Sequence, residues 1–184
     1  MHEETFHDYG GPRLEETLAL GVELPGNVFT RRFGQYLFFD IDVTTSEPLI
    51  VAVRQVVMAC FGSALEVDVY KSSDRSFLKR LGADEEWAQE IMMLSRAMRK
   101  EGDVDGMILL DGQNRWILYQ LRPVDFGVFA IDCHQDLMSI AAILECFFAL
   151  DDVKDWLSRR TSRDKEMVHT EGEGFLAALR DNYS

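Results

Sequence analysis

The sequence lacks an excess of basic residues and any long apolar run, and both absences narrow its possible functions. Nineteen Lys and Arg stand against thirty-two Asp and Glu, so the formal net charge is -13. A field of this sign disfavours binding to nucleic acids and anionic membranes, and it favours a basic protein or a small cation. No apolar run approaches the roughly 20 residues that cross a bilayer.

Cysteine is also scarce, and the three that occur have no metal-type spacing. Cys60, Cys133 and Cys146 lie in apolar runs, which is typical of small core residues rather than nucleophiles. Their odd number suggests reduced thiols, and the acidic, polar residues 1–11 do not resemble a signal peptide. We therefore expect a cytoplasmic protein with neither a cofactor nor a metal centre.

The apolar pattern alternates between strand and helix periods. Strands are expected at 35–43, 64–70, 107–110, 115–121 and 125–132, the last of them buried on both faces. Helices are expected at 49–61, 73–102, 137–150, 151–160 and 173–182. The many β-branched residues in 49–61 leave a strand as an alternative for that segment. The polar stretch 162–172 between the final two helices is expected to be a mobile link.

These elements predict a single α+β domain over residues 1–184. Its mostly antiparallel sheet combines a β-α-β unit with a β-β-β meander, and helices pack on one face. Residues 1–11 form a loose lead, 73–102 a helical insert and 151–184 a C-terminal helical extension.

Six side chains on the first two predicted strands are the main binding candidates. If the strands are neighbours, alternation gathers four carboxylates beside two tyrosines on one face, where water, a cation or basic side chains must neutralise them. A solvated face and a face covered by a second subunit of a homodimer are the alternatives. The residues are Asp40, Asp42, Glu66, Asp68, Tyr36 and Tyr70.

A second polar group follows the strand 125–132. Asp132, His134 and Asp136 alternate, as metal ligands or an acid–base set do at the end of a strand. The simpler interpretation, which we favour, has Asp136 capping the next helix while Asp132 and His134 are exposed. No nucleophile elbow or glycine-rich phosphate loop is present, so the catalytic residues are unknown.

Three segments resemble the S-adenosylmethionine decarboxylase family. Residues 34–40 (GQYLFFD) resemble the opening of its first strand, 61–67 (FGSALEV) its entry into the second strand, and 123–132 (PVDFGVFAID) the strand before its closing helix. The similarity covers about 33–72 and 104–150 and implies the fold of one repeat of that family. Its enzymes decarboxylate with a pyruvoyl group made from a serine of their own chain.

This chain departs from the family at the reactive position. The corresponding region, 111–116, reads DGQNRW, and no Ser, Thr or Cys occurs from Gly102 to Asp132. Without such a side chain the self-cleavage has no nucleophile. Cys133 and His134 lie near the position of a catalytic cysteine, but their spacing does not match.

The sequence favours a non-catalytic, acidic binding or regulatory protein with a degenerate decarboxylase-like fold. Two alternatives remain: an immunity-type or antitoxin-type inhibitor of a basic toxin domain, and a metal-dependent enzyme that uses strand-face carboxylates.

Overall fold

The computed structural model describes residues 14–62, 66–121, 126–137 and 146–184. Within these ranges seven strands form one antiparallel sheet in the order β3-β2-β4-β5-β6-β1-β7. The strands are β1 Gln35–Phe39, β2 Val67–Lys71, β3 Phe77–Leu81, β4 Met107–Asp111, β5 Trp116–Gln120, β6 Gly127–Ile131 and β7 Phe148–Ala149. The helices are α1 Leu14–Thr17, α2 Glu47–Phe61, α3 Trp87–Lys100, α4 Leu150–Ser158, α5 Ser162–Glu171 and α6 Glu173–Tyr183. The predicted α+β class with an antiparallel sheet is confirmed.

The strand side chains alternate between two apolar layers. Leu37, Leu109, Leu118 and Phe129 face the layer built with α2 and α3. Residues next to them in sequence, such as Phe38, face a second layer that contains side chains of α1, α4, α5 and α6. Every residue of β4, β5 and β6 is buried, as predicted for 125–132 over its described part. The C-terminal helices thus form a layer on the face of the sheet opposite α2 and α3. The prediction that helices pack on one face does not include this second layer.

Helix α2 forms where the sequence predicts a helix, and the alternative prediction of a strand over 49–61 is wrong. The Ser46 hydroxyl accepts a hydrogen bond from the Leu49 N–H at 3.2 Å, and Gly62 ends the helix with a φ of 83°. Six side chains of α2 are buried against the sheet. Their burial outweighs the weak helix propensity of the β-branched residues.

The predicted helix over 73–102 is wrong in its first part, because Phe77–Leu81 is strand β3. The polar residues after β2 close a hairpin: Asp74 Oδ1 accepts from the Ser76 N–H at 2.9 Å, and Arg75 has a φ of 61°. Pairing of Val67 with Leu81 buries both side chains completely. The second part, α3, is helical as predicted.

Two corrections concern the C-terminal third. The stretch 162–172, predicted to be a mobile link, is largely helix α5, since Thr161 and Asp164 form a reciprocal capping box. Phe148 and Ala149, predicted to end a helix from 137, form strand β7 beside Leu37 and Phe38. Most of that predicted helix lies outside the described residues.

A disulfide joins Cys60, in the last turn of α2, to Cys133, just beyond β6. Their Cα atoms are 5.8 Å apart, and 73 positions separate them in the sequence. Cys146 is buried and lies outside this disulfide. The expectation of three reduced thiols is therefore wrong for Cys60 and Cys133.

Candidate functional site

The six predicted binding residues do not form one site. Strands β1 and β2 run parallel, joined through α2, but β4, β5 and β6 lie between them in the sheet. Three strands therefore separate Asp40, Asp42 and Tyr36 from Glu66, Asp68 and Tyr70. Strand order depends on contacts far apart in sequence, so the alternating pattern alone could not reveal this separation.

The residues on and next to β1 have local roles. Asp42 Oδ1 accepts hydrogen bonds from the Thr44 N–H at 2.9 Å and the Thr44 hydroxyl at 2.7 Å, which shapes the turn before α2. The hydroxyl of Tyr36 accepts from the Phe33 N–H at 2.9 Å, while Asp40 is exposed. Asp42 and Tyr36 therefore stabilise the chain around β1.

Asp132 also has a structural role. Its two carboxylate oxygens accept from Arg31 Nη1 at 2.7 Å and from the Gly34 N–H at 2.9 Å, which joins the end of β6 to the start of β1. His134 and Asp136 are exposed. Within the described ranges, no group of three or more His, Cys, Asp or Glu is placed to hold a metal ion.

The β2 half of the prediction does form a surface with acidic and aromatic character. Asp68 and Tyr70 point to the face opposite α2, because Val67 and Val69 point toward that helix. The Asp68 side chain is only 3% exposed and forms a two-point ion pair with Arg80. Glu66, with 67% of its side chain exposed, approaches the same guanidinium at 3.9 Å.

Strand β3 adds an exposed ring to this surface. Phe77 is paired with Tyr70 across the two strands, their ring centroids are 5.6 Å apart in a T-shaped arrangement, and Phe77 remains 55% exposed. Burial, aided by the negative charges of Asp68 and Glu15 and opposed by Arg80, raises the pKa of Tyr70 to about 12. The carboxylate of Glu15 is therefore close enough to act electrostatically on this tyrosine.

Apolar side chains project into solvent around the same hairpin. Leu20, 86% exposed, follows Ala19, whose carbonyl accepts from Arg75 Nη2 at 2.8 Å. Val104, 60% exposed, follows Asp103, which accepts from the Ser73 hydroxyl at 3.0 Å. The hairpin thus has exposed apolar side chains in the segments that it contacts on either side.

We call this region the acidic-aromatic surface. It consists of Glu15, Leu20, Glu66, Asp68, Tyr70, Phe77 and Arg80. The sequence identified Glu66, Asp68 and Tyr70 but missed Phe77 and Arg80, because it placed them on a helix. The run of four polar residues after β2, 72–75, was the available signal for a hairpin.

Comparisons with protein-family models, with curated proteins and with solved structures find no match to this chain. The relation to the S-adenosylmethionine decarboxylase fold therefore stays a prediction. Among the described helices, none is both long and apolar enough to cross a bilayer.

Proposed function

We propose that this chain is a non-catalytic binding protein that docks a basic protein partner on the acidic-aromatic surface. The observation that carries the proposal is the exposed Phe77 ring, which packs against Tyr70 on the same strand pair that carries the exposed Glu66. An aromatic anchor on a surface that also carries exposed carboxylates is suited to an apolar side chain flanked by lysine or arginine. The net charge of -13 adds long-range attraction for such a partner.

The ion pair beneath the surface supports this role. Arg80 satisfies the buried Asp68 carboxylate at short range, so the exposed Glu66, which approaches Arg80 only at 3.9 Å, can turn to a cationic group of the partner. The 3.9 Å approach of Glu66 to Arg80 is long for a strong bond, and exposed pairs contribute about 0–1 kcal/mol. Replacing the Glu66–Arg80 contact by a contact with the partner therefore costs little free energy.

The decarboxylase-like ancestry belongs to the same proposal. Where that family carries its reactive serine, this chain has a closed hairpin in which Arg115 donates to both oxygens of the buried Asp111 carboxylate. The immunity-type alternative differs only in the identity of the basic partner. Both versions place that partner on the acidic-aromatic surface.

A labelled peptide that alternates lysine and leucine provides a direct test by fluorescence anisotropy. We expect Glu66→Lys and Phe77→Ser each to weaken binding about tenfold, which is about 1.4 kcal/mol. Two matched controls should leave affinity within about twofold. Glu166→Lys makes the same charge change on exposed α5, and Met93→Ser removes a 52% exposed side chain from α3.

The comparison of Glu66→Lys with Glu166→Lys shows whether the peptide binds at the acidic-aromatic surface. Equal losses for Glu66→Lys and Glu166→Lys would show that net charge alone attracts the peptide, and the assigned surface would then be wrong. Absence of binding by the wild-type chain at low salt would also contradict the proposal. A peptide that alternates glutamate and leucine should not bind in any variant.

A further inference from the structure

A concave region lies far along the sheet from the acidic-aromatic surface. A cleft of about 410 Å³ opens between the start of β1, the first turn of α4 and the end of α6. This volume lies within the range of roughly 300–1,000 Å³ found for small-molecule sites. Its lining is distinct from every residue of the proposed docking surface.

One wall of the cleft is aromatic and held in place. The rings of Tyr36 and Tyr183 meet edge to face with centroids 5.1 Å apart, and Phe33 lies 6.4 Å from Tyr36. The Tyr183 hydroxyl accepts from the Val28 N–H at 3.2 Å and donates to the Gly26 carbonyl at 3.0 Å. These bonds fix an apolar wall before any ligand arrives.

The edge of β1 supplies backbone hydrogen-bonding groups to the same cleft. Strand β7 pairs only with Leu37 and Phe38, so among the described residues Gln35 and Tyr36 have no strand partner on that side. Successive residues of a strand direct their backbone N–H and C=O groups to opposite edges. One of Gln35 and Tyr36 therefore directs its backbone toward the cleft.

The charged lining has the opposite sign to the molecule as a whole. Two cations, Arg32 and Lys154, and one acid, Asp151, line the cleft. Arg32 is exposed and forms no ion pair within the part of the chain that the structure describes. The Lys154–Asp151 contact of 2.7 Å joins two exposed side chains, so an incoming anion can compete for Lys154.

From these features we propose that the cleft binds a small organic carboxylate with a planar apolar body. The guanidinium of Arg32 matches a carboxylate by its fork of parallel N–H donors, and Lys154 adds a second positive charge. The planar body lies against Tyr36 and Tyr183, where it gains apolar contact.

The probe pair is 4-hydroxyphenylacetate and its neutral amide, which differ only in the charged group. Titrations followed by amide NMR shifts should show carboxylate binding at Gln35, Tyr36 and Lys154, with the amide at least about tenfold weaker. Arg32→Gln should weaken carboxylate binding about tenfold. Arg160→Gln, which removes another exposed arginine outside the cleft, should leave it unchanged.

Equal affinity for the acid and the amide, or no effect of Arg32→Gln, would overturn the proposal, as would absence of carboxylate binding. Because Arg32 is exposed, the variant should keep the wild-type circular dichroism spectrum. Failure here is separate from failure of the docking proposal: Glu66→Lys should not alter carboxylate binding, and Arg32→Gln should not alter peptide binding.

Discussion

Asp68 on β2 and Arg80 on β3 form a two-point ion pair, with Nε 2.6 Å from Oδ1 and Nη2 2.8 Å from Oδ2. The carboxylate is buried beneath the acidic-aromatic surface, while the guanidinium is 32% exposed at its rim. The pair therefore joins the edge strand to the sheet and supports the neighbouring Tyr70 and Phe77.

Removal of the cation from this pair should be costly. Arg80→Met leaves the Asp68 carboxylate buried without its guanidinium, and we expect a loss of about 3 kcal/mol in the free energy of unfolding. Urea denaturation measures it. The control, Arg180→Met, breaks an exposed pair with Asp181 and should cost about 1 kcal/mol or less. Equal effects would show that the Asp68–Arg80 pair adds no special stability.

Gly127 should not tolerate a side chain. A Cβ at this position would lie 2.1 Å from Cζ of Phe39, a completely buried ring. Gly127→Ala should therefore cost about 3 kcal/mol or prevent folding. Gly174→Ala is the control, because a Cβ in α6 at that position meets nothing within 4 Å. Thermal unfolding should place Gly174→Ala at or above wild type; a wild-type melting temperature for Gly127→Ala would contradict the packing of β1 on β6.

The sequence predicts well those features that are set by neighbouring residues. Helix α2 follows from Ser46 at one end and Gly62 at the other, and the β4–β5 hairpin follows from the turn residues after Asp111. The prediction of a helix over 73–81 fails for a local reason, because a short polar turn was included in the helix. Strand β3 forms there because it pairs with β2.

The scattered carboxylates have a different cause. That three strands separate Asp42, just beyond β1, from Asp68, on β2, depends on the order in which the strands pair. Likewise, Cys60 and Cys133 become neighbours only when α2 packs beside the end of β6. Such long-range contacts are fixed by the whole core and leave no periodic signal in a single segment.

The disulfide predicts a simple labelling result. Denatured protein treated with iodoacetamide without reductant should gain one adduct, on Cys146, and reduction first should give three adducts. Mass spectrometry distinguishes these states. Three adducts without reductant, from protein prepared under air, would show that Cys60 and Cys133 are not joined.

The chain should also remain intact. Because no serine, threonine or cysteine lies between Gly102 and Asp132, the self-cleavage of the decarboxylase family has no nucleophile. Intact mass spectrometry of long-stored protein should give one species of 21.1 kDa. Two fragments divided near Asp111–Arg115 would contradict a non-catalytic role.

Alkaline titration should reveal the buried tyrosines. Burial raises the pKa of Tyr70 and of Tyr119 to about 12, and it raises that of Tyr183 as well. Since an unfolded tyrosine ionises near pH 10, the folded state holds these protons more tightly. Their contribution to stability is full below about pH 10 and is lost as the pH rises toward about 12. Absorbance at a phenolate wavelength, followed with circular dichroism, should show late ionisation coupled to unfolding; ionisation of all five tyrosines near pH 10 in a folded chain would contradict their burial.

The most direct test of the central claim is NMR mapping of the lysine–leucine peptide on the wild-type chain. We expect the largest amide shift changes on β2, β3 and the residues around Leu20, and we expect them to weaken as salt is added. Changes centred on α5 or on the cleft beside Tyr36, or spread evenly over all exposed carboxylates, would contradict the assignment of the acidic-aromatic surface.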